Sequence, residues 1–485
     1  MSLKKTQVIE QTDETEKGGK AKKRFKLEVP HTFVILGMII LFAVILTHLV
    51  PAGEFDRVLD PVTDREIVVQ GSYHSVESNP IGLFDMFIYI QKGMVDSADI
   101  IFFIIFAYAM VFMLLKSGSL DAAVGALLRK IGDKVELLIP VFMIFFGILG
   151  ATAGLFEEIY GLIPAFLGIA IALGYDAIVG GAIVIVGIGT GFAAAFTNPF
   201  TIGVAQGVAG VPMFSGIGFR VLAFIAFQAA VIAYTMNYAR KIKKNPELSI
   251  VKDVKFSLTD NLSIHELKAL KFENRHKISM LAFGLSILLI VVGTLKLGWY
   301  IDELAGLFLV LMIVIGFINK KGLNEISEIF VEAAASIAFG ALAVGLSRSV
   351  LLVMSDGMII DTMVNSLAGL LVESSAYVSA LGMLFLQNLI NFIIPSGSGQ
   401  AATSMPIMAP VADIVGLTRQ TAVLAFQFGD GFSNLFWPTI VSVECGLMGI
   451  PLNKWYKFMG PLFVIMLVIQ VIFMSVAVMI NYGPI

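Results

Sequence analysis

The 485-residue chain carries 33 Lys and Arg against 36 Asp and Glu; only 14% of its residues are charged and 57% are hydrophobic, with a mean hydropathy of +0.88. A soluble chain of this length would split into several domains, each with its own charged surface, and about a quarter of its residues would be charged. A soluble enzyme and a nucleic-acid binder are excluded, and 38 Phe spread over long apolar runs do not fit the alternating strands of a membrane β-barrel.

In chain order, residues 1–28 hold eight basic and five acidic side chains, including Lys22-Lys23-Arg24, and read as a cytoplasmic tail without a core of its own. His31 to Val50 is apolar and long enough to span a bilayer. No small-residue cleavage site follows it, so it reads as a retained helix. The loop 51–80 has six acidic residues and two arginines, whereas 240–277 has ten basic and five acidic residues. The excess of Lys and Arg places the tail and 240–277 in the cytoplasm and 51–80 outside. Ser263-Ile264-His265-Glu266 matches a capping box and predicts a short helix in the cytoplasmic loop.

Apolar runs predict nine spans, at 33–50, 97–115, 177–196, 215–239, 278–297, 302–319, 337–354, 419–437 and 457–481. Short interfacial helices are expected before two of them, at Phe84-Asp85-Met86-Phe87 outside and Ser327-Glu328-Ile329-Phe330 inside. The stretches 136–173 and 377–415 are too long for one span and are interrupted by Gly, Pro and polar residues. They read as re-entrant hairpins whose turns must be buried in protein or line a wet cavity. The expected fold is an all-α polytopic membrane protein with about nine transmembrane helices plus two re-entrant hairpins.

The first hairpin tip contains Phe156-Glu157-Glu158-Ile159-Tyr160. Ionised carboxylates at membrane depth each cost about 2.5–3.5 kcal/mol, so a proton, a sodium ion, an Arg or a cationic substrate must offset them. The plainer reading is that Glu158 caps a half-helix while Glu157 faces water at a shallow turn. After the next span comes Thr197-Asn198-Pro199-Phe200-Thr201, where Asn before Pro favours an extended link. In the second hairpin, Pro395-Ser396-Gly397-Ser398-Gly399-Gln400 forms a small-residue loop. A half-helix starting just after it would aim free amides at a carboxylate; close packing of small residues is the alternative. The span that follows carries Gly429-Asp430-Gly431-Phe432-Ser433-Asn434, with Asp430 as an intramembrane acid. Arg348 falls inside 337–354, where it either pairs with an acid, holds a substrate carboxylate or snorkels. Asp413 and Glu444 read as interfacial. A coupling sodium would draw on Asn198, Ser398 and Asn434; a proton is the other candidate coupling ion, and no other cofactor is expected. Cys445 stands alone, and the five histidines lack ligand spacing.

The two halves correspond. Ile163-Pro164, Gly174, Gly189-Thr190-Gly191-Phe192 and Val211-Pro212 match Met405-Pro406, Gly416, Gly429-Asp430-Gly431-Phe432 and Ile450-Pro451. The span count gives the halves opposite orientations, as in transporters with inverted repeats. The organisation reads as a tail (1–28), a first inverted repeat (29–239), a cytoplasmic loop with a linking helix (240–300) and a second inverted repeat (301–485). The N-terminus is then inside and the C-terminus outside.

Val29-Pro30-His31-Thr32-Phe33, Val50-Pro51-Ala52-Gly53-Glu54-Phe55-Asp56 and the motifs around Glu157, Asn198, Ser396 and Asp430 resemble the YfcC-type members of the C4-dicarboxylate anaerobic carrier (DcuC-type) family of the ion transporter superfamily. The resemblance implies substrate bound at the hairpin tips, a homodimer and an elevator-like movement. The Ser-Asn-Thr tip motif of the sodium-dicarboxylate relatives is absent. The expected function is a secondary transporter in a prokaryotic inner membrane, whose small-molecule substrate is an amino acid, with a basic one such as arginine or ornithine favoured because Glu157, Glu158 and Asp430 outnumber Arg348. The alternatives are a C4-dicarboxylate carrier coupled to sodium or protons and, from another class, an ion channel. No nucleotide-binding motif is present.

Overall fold

The computed structural model describes residues 31–60, 65–69, 71–131, 136–254, 264–299, 301–371 and 374–483. The tail, Lys134 and Ser263 of the expected capping box lie outside them; the short helix expected beside that box is Ile264–Ala269. The described chain is almost entirely helical. Its strands form two small antiparallel pairs in the loop after the first helix, Gly53–Glu54 with His74–Ser75 and Arg57–Asp60 with Arg65–Val68. Seven of the described helices are long and apolar enough to cross a membrane: Thr32–Leu49, Ala98–Lys116, Ile217–Lys244, Ile301–Ile318, Leu323–Asp356, Ala376–Ile393 and Leu452–Met479. This is an all-α polytopic membrane protein.

Three expectations need correction. The stretch around Ser327 and Phe330 is not a separate interfacial helix, because Leu323–Asp356 runs unbroken for 34 residues. No proline interrupts it, so each added turn keeps its hydrogen bonds. The expected spans 177–196 and 419–437 do not end at their polar breaks. Helix resumes at Pro199 through Val208 and at Pro438 through Met448, proline being well suited to a first helical turn. Each is one helix interrupted partway. The expected span 278–297 corresponds to Asn274–Val292 with a wider turn through Leu297.

Ile217–Lys244 and Leu452–Met479 form an antiparallel pair. At one end Arg220 Nη1 donates to the Tyr482 hydroxyl at 3.1 Å and Phe219 packs on Phe473. At the other, the Tyr234 hydroxyl donates to the Phe458 carbonyl at 2.8 Å. Both expected hairpins are helix–break–helix segments measured against this pair. The first comprises Leu138–Ala153 and Ile163–Ala172. Glu136 before it pairs with Arg240 at 3.1 Å, and Asp176 after it accepts from the Tyr238 hydroxyl at 2.5 Å. The Arg240 guanidinium holds the Glu136 carboxyl below its ordinary range. The second comprises Ala376–Ile393 and Gly397–Ile414. There Tyr377 bonds Ser475 at 2.9 Å, and Thr418, just after the segment, donates to the Tyr482 carbonyl. Both ends of the first segment therefore lie beside one end of the antiparallel pair, and both ends of the second beside the other.

The loop after the first helix straps down onto the end of Leu323–Asp356. Gly53 N–H donates to the Met358 carbonyl at 2.9 Å. Buried Asp361 accepts from the Phe55 amide at 3.0 Å and from Arg57 at 2.8 Å. Asp361→Ala would leave a buried amide and a guanidinium unpaired, a loss of about 1–3 kcal/mol. The detergent-solubilised variant is expected to melt at lower temperature; an unchanged melting curve would show that the strap contributes nothing.

Candidate functional site

The two helix breaks meet. A cavity of about 400 Å³ is lined by Gly154, Phe156, Glu157, Glu158 and Tyr160 from the first and by Pro395, Ser396, Gly397 and Ser398 from the second. Thr201, Asn434 and Thr439 from the two interrupted helices complete the wall.

At the first break the helix ends on Gly154, in the left-handed region with φ 71°. A side chain there would be strained, and its Cβ would sit 2.4 Å from Asn198 Oδ1. The chain turns through a short 3-10 segment, Glu157–Leu162. Glu158 is buried and accepts from the Phe156 amide at 2.8 Å, a bond within the turn, and it does not cap the half-helix Ile163–Ala172. It also lines the cavity beside Glu157.

The second break is shorter than the small-residue loop expected from the sequence. Helix begins at Gly397, with Ser396 as its N-cap accepting from the Gly399 amide at 3.3 Å. Ser396, Gly397 and Ser398 line the cavity. Gly399 and Gln400, one turn further on, are not among its lining residues. Gln400 is buried and donates to both the carbonyl and the side chain of Gln387, tying the two arms of the segment together.

Of the interrupted helices, the first places Thr201 on the cavity with its buried hydroxyl unpartnered. Thr197 is partly exposed, and neither it nor Asn198 is a lining residue. Asn198 is buried and commits its side-chain oxygen to the Phe200 and Thr201 amides, at 2.8 and 3.3 Å. That oxygen is engaged as a helix cap. In the second interrupted helix Asp430 is fully buried, and neither carboxylate oxygen has a partner among the described residues. It lies directly behind Gly397: a Cβ there would be 3.2 Å from Asp430 Oδ2 and 2.6 Å from Thr201 Cγ2. Ser433 is used internally, donating to the Gly429 carbonyl at 2.7 Å. Asn434 faces the cavity.

Arg348 lines the cavity and is ion-paired with Asp96, which lines it too; both side chains are about 40% exposed. This is the pairing reading rather than snorkelling. Four residues at the site escaped the sequence analysis. Asp96 and Asp99 flank the start of Ala98–Lys116, where an acid at a span end reads as interfacial. Ser347 adds a buried, unpartnered hydroxyl. Asn391 donates to Ser433 Oγ at 2.6 Å and also to Asn434 Oδ1, bracing the second break. An Asn inside a long apolar run was the signal for it. Asp413 is partly exposed and paired with Arg419 at 2.7 Å, as an interfacial acid would be. Glu444, unlike Asp413, is fully buried, within Pro438–Met448.

Comparison with known proteins gives the lineage. The C4-dicarboxylate anaerobic carrier family, DcuC, matches over residues 29–479. The "Putative basic amino acid antiporter YfcC" of Escherichia coli (strain K12) is 30% identical over 91% of this chain and 96% of its own length. A protein of Haemophilus influenzae with no assigned role is 29% identical over 94% of this chain and 98% of its own. Among solved structures, the Alcanivorax borkumensis YdaH transporter aligns over 94% of this chain and all of its own, at 17% identity and a TM-score of 0.41. With the match spanning nearly every described helix, the chain belongs to the C4-dicarboxylate anaerobic carrier family of membrane transporters.

Proposed function

We propose that this protein is a secondary active transporter for a cationic amino acid, of the arginine or ornithine type, moved by coupling to an ion or by exchange. One observation carries the reading: the cavity is lined by four acids, Asp96, Asp99, Glu157 and Glu158, against a single cation, Arg348, which is already paired with Asp96. In a low-dielectric cavity, uncompensated carboxylates favour a positive ligand. The amino-acid carboxylate is offered the first-turn amides after Ser396, at the positive end of Gly397–Ile414. The name of the E. coli relative points the same way.

The two broken segments are read as re-entrant hairpins of inverted repeats, and alternating access as an elevator-like movement in a homodimer. The membrane is read as a prokaryotic inner membrane with the N-terminus cytoplasmic and the C-terminus outside. Asp430 and the unpartnered Thr201 hydroxyl are read as a cation site for coupling; of the candidate sodium donors Ser398 and Asn434 line the cavity, whereas Asn198 has its oxygen engaged.

A second reading, a C4-dicarboxylate carrier, is favoured by the family description and by the helix N-terminus at Ser396. Thermal-shift titration decides between them. Arginine or ornithine is expected to raise the melting temperature, and succinate or fumarate to leave it unchanged. Stabilisation by the dicarboxylates alone, with or without sodium, would overturn the cationic reading.

A further inference from the structure

Glu444 belongs to none of the roles above. Its side chain is fully buried, and neither carboxylate oxygen has a hydrogen-bond partner among the described residues. Lysine and arginine are absent from Pro438–Met448 itself and from two helices packed against it, Ile163–Ala172 and Thr32–Leu49; of two others packed against it, Leu323–Asp356 carries Arg348, paired with Asp96, and Leu452–Met479 carries Lys454, paired with Asp253, and Lys457. The titratable groups in electrostatic reach are Tyr160 from the first tip, Cys445 on the same helix and Tyr456 from Leu452–Met479. Leu323–Asp356 packs on this half-helix with Gly340 against Gly446, flanked by the Phe339 and Leu447 side chains. His48, at the end of Thr32–Leu49, is bonded to the Ile81 carbonyl.

An ionised carboxylate cannot stay unpaired in such a place, and even a neutral one is costly without a hydrogen bond. Glutamine or methionine would fill the volume at less expense if packing were the only requirement. The position also connects to the cavity. Thr439, Ile440 and Val443 of the same helix are lining residues, and Glu444 is one turn beyond Ile440 on the same side. Tyr160 lines the cavity and is in electrostatic reach both of Glu444 and of the Glu157–Glu158 pair. A sodium ion would need several more oxygen ligands than this apolar surround offers, whereas a proton needs only the carboxylate.

Given the transport reading above, we propose that Glu444 is a proton-binding site, one helical turn behind the cavity wall, that couples substrate movement to a proton gradient. The balance is simple. Glu444 gains one proton when the cavity opens to one face and releases it to water at the other. Nothing is oxidised or reduced.

The test uses the full-length protein in liposomes. With labelled arginine as the probe, wild type is expected to accumulate it under an imposed pH gradient and to move protons, read by a trapped pH dye. Glu444→Gln is expected to lose gradient-driven accumulation and proton movement to the level of empty liposomes while keeping arginine counterflow; Glu444→Asp restores part of the coupling. Infrared difference spectra between acidic and alkaline pH are expected to show a protonated, weakly bonded carboxyl band that is missing in Glu444→Gln. Counterflow without proton movement in wild type, or full coupling in Glu444→Gln, would overturn the role of Glu444 and leave the transport reading standing. Should arginine not be carried at all, the substrate reading falls, and the infrared band still decides: its persistence in Glu444→Gln overturns the proton site.

Discussion

Glu157→Gln and Glu158→Gln are each expected to weaken arginine binding by roughly ten- to a hundredfold, the equivalent of one charge-assisted hydrogen bond of about 1.5–3 kcal/mol. The fold should survive. The Glu158 oxygen that accepts from the Phe156 amide has an equivalent in glutamine, so the turn keeps its bond and loses only its charge. Both carboxylates face the cavity with Asp96 and Asp99, and Arg348 is the one cation among the lining residues. Removing either glutamate therefore removes a large share of the negative potential there. The two substrate readings differ in sign: a cationic ligand binds less tightly to the variants, whereas a dicarboxylate binds more tightly. Thermal-shift titration and liposome uptake read both, and wild-type affinity in both variants would remove the cavity's charge from the explanation.

The second large effect is expected for Gly397→Leu, which should abolish binding altogether. The space is occupied before any side chain is added: a Cβ at 397 would already lie 2.6 Å from the Thr201 methyl and 3.2 Å from Asp430. The remaining leucine atoms must push Thr201 aside or enter the cavity, because Phe192 closes the third direction at 3.4 Å. Gly397→Ala separates the two outcomes. Its single carbon is absorbed only by a small shift of Thr201, so it should weaken binding while the leucine variant eliminates it. Size-exclusion behaviour matching wild type confirms that the loss is local. Undiminished affinity in a well-folded Gly397→Leu protein would place the substrate elsewhere.

Much of this architecture is legible in residue order because membrane helices are interrupted for few reasons. Asn198 before Pro199, the Gly429–Asn434 run and Pro395–Gly399 each announce a break, and each lies at or beside one. The same punctuation misleads when it is read as an ending. Pro438 suggests the close of a span, so Glu444 beyond it reads as interfacial; in the structure Pro438 starts the second half of the same interrupted helix, and the acid is buried. Absence of punctuation misleads too: nothing between Leu323 and Asp356 marks where an interfacial helix would hand over to a span, and none does. Gln400 shows the limit of composition. In the row Ser-Gly-Ser-Gly-Gln it looks like a ligand, but helical geometry turns it away to Gln387. Asp96 meets Arg348 only through packing of helices 252 residues apart, which no local pattern encodes.

The unbroken helix Leu323–Asp356 has a mechanical consequence. Thirty-four residues at 1.5 Å each make a rod about 51 Å long, against a hydrocarbon layer of about 30 Å. Such a rod must lean or protrude, and the degree of lean follows acyl-chain length, steeper in thin membranes than in thick ones. Near its midpoint, Gly340 bears on Gly446, so leaning is transmitted to the half-helix that supplies Thr439 to the cavity wall. Lipid dimensions thus become a setting of the transporter itself, and its transport rate should differ between short-chain and long-chain vesicles.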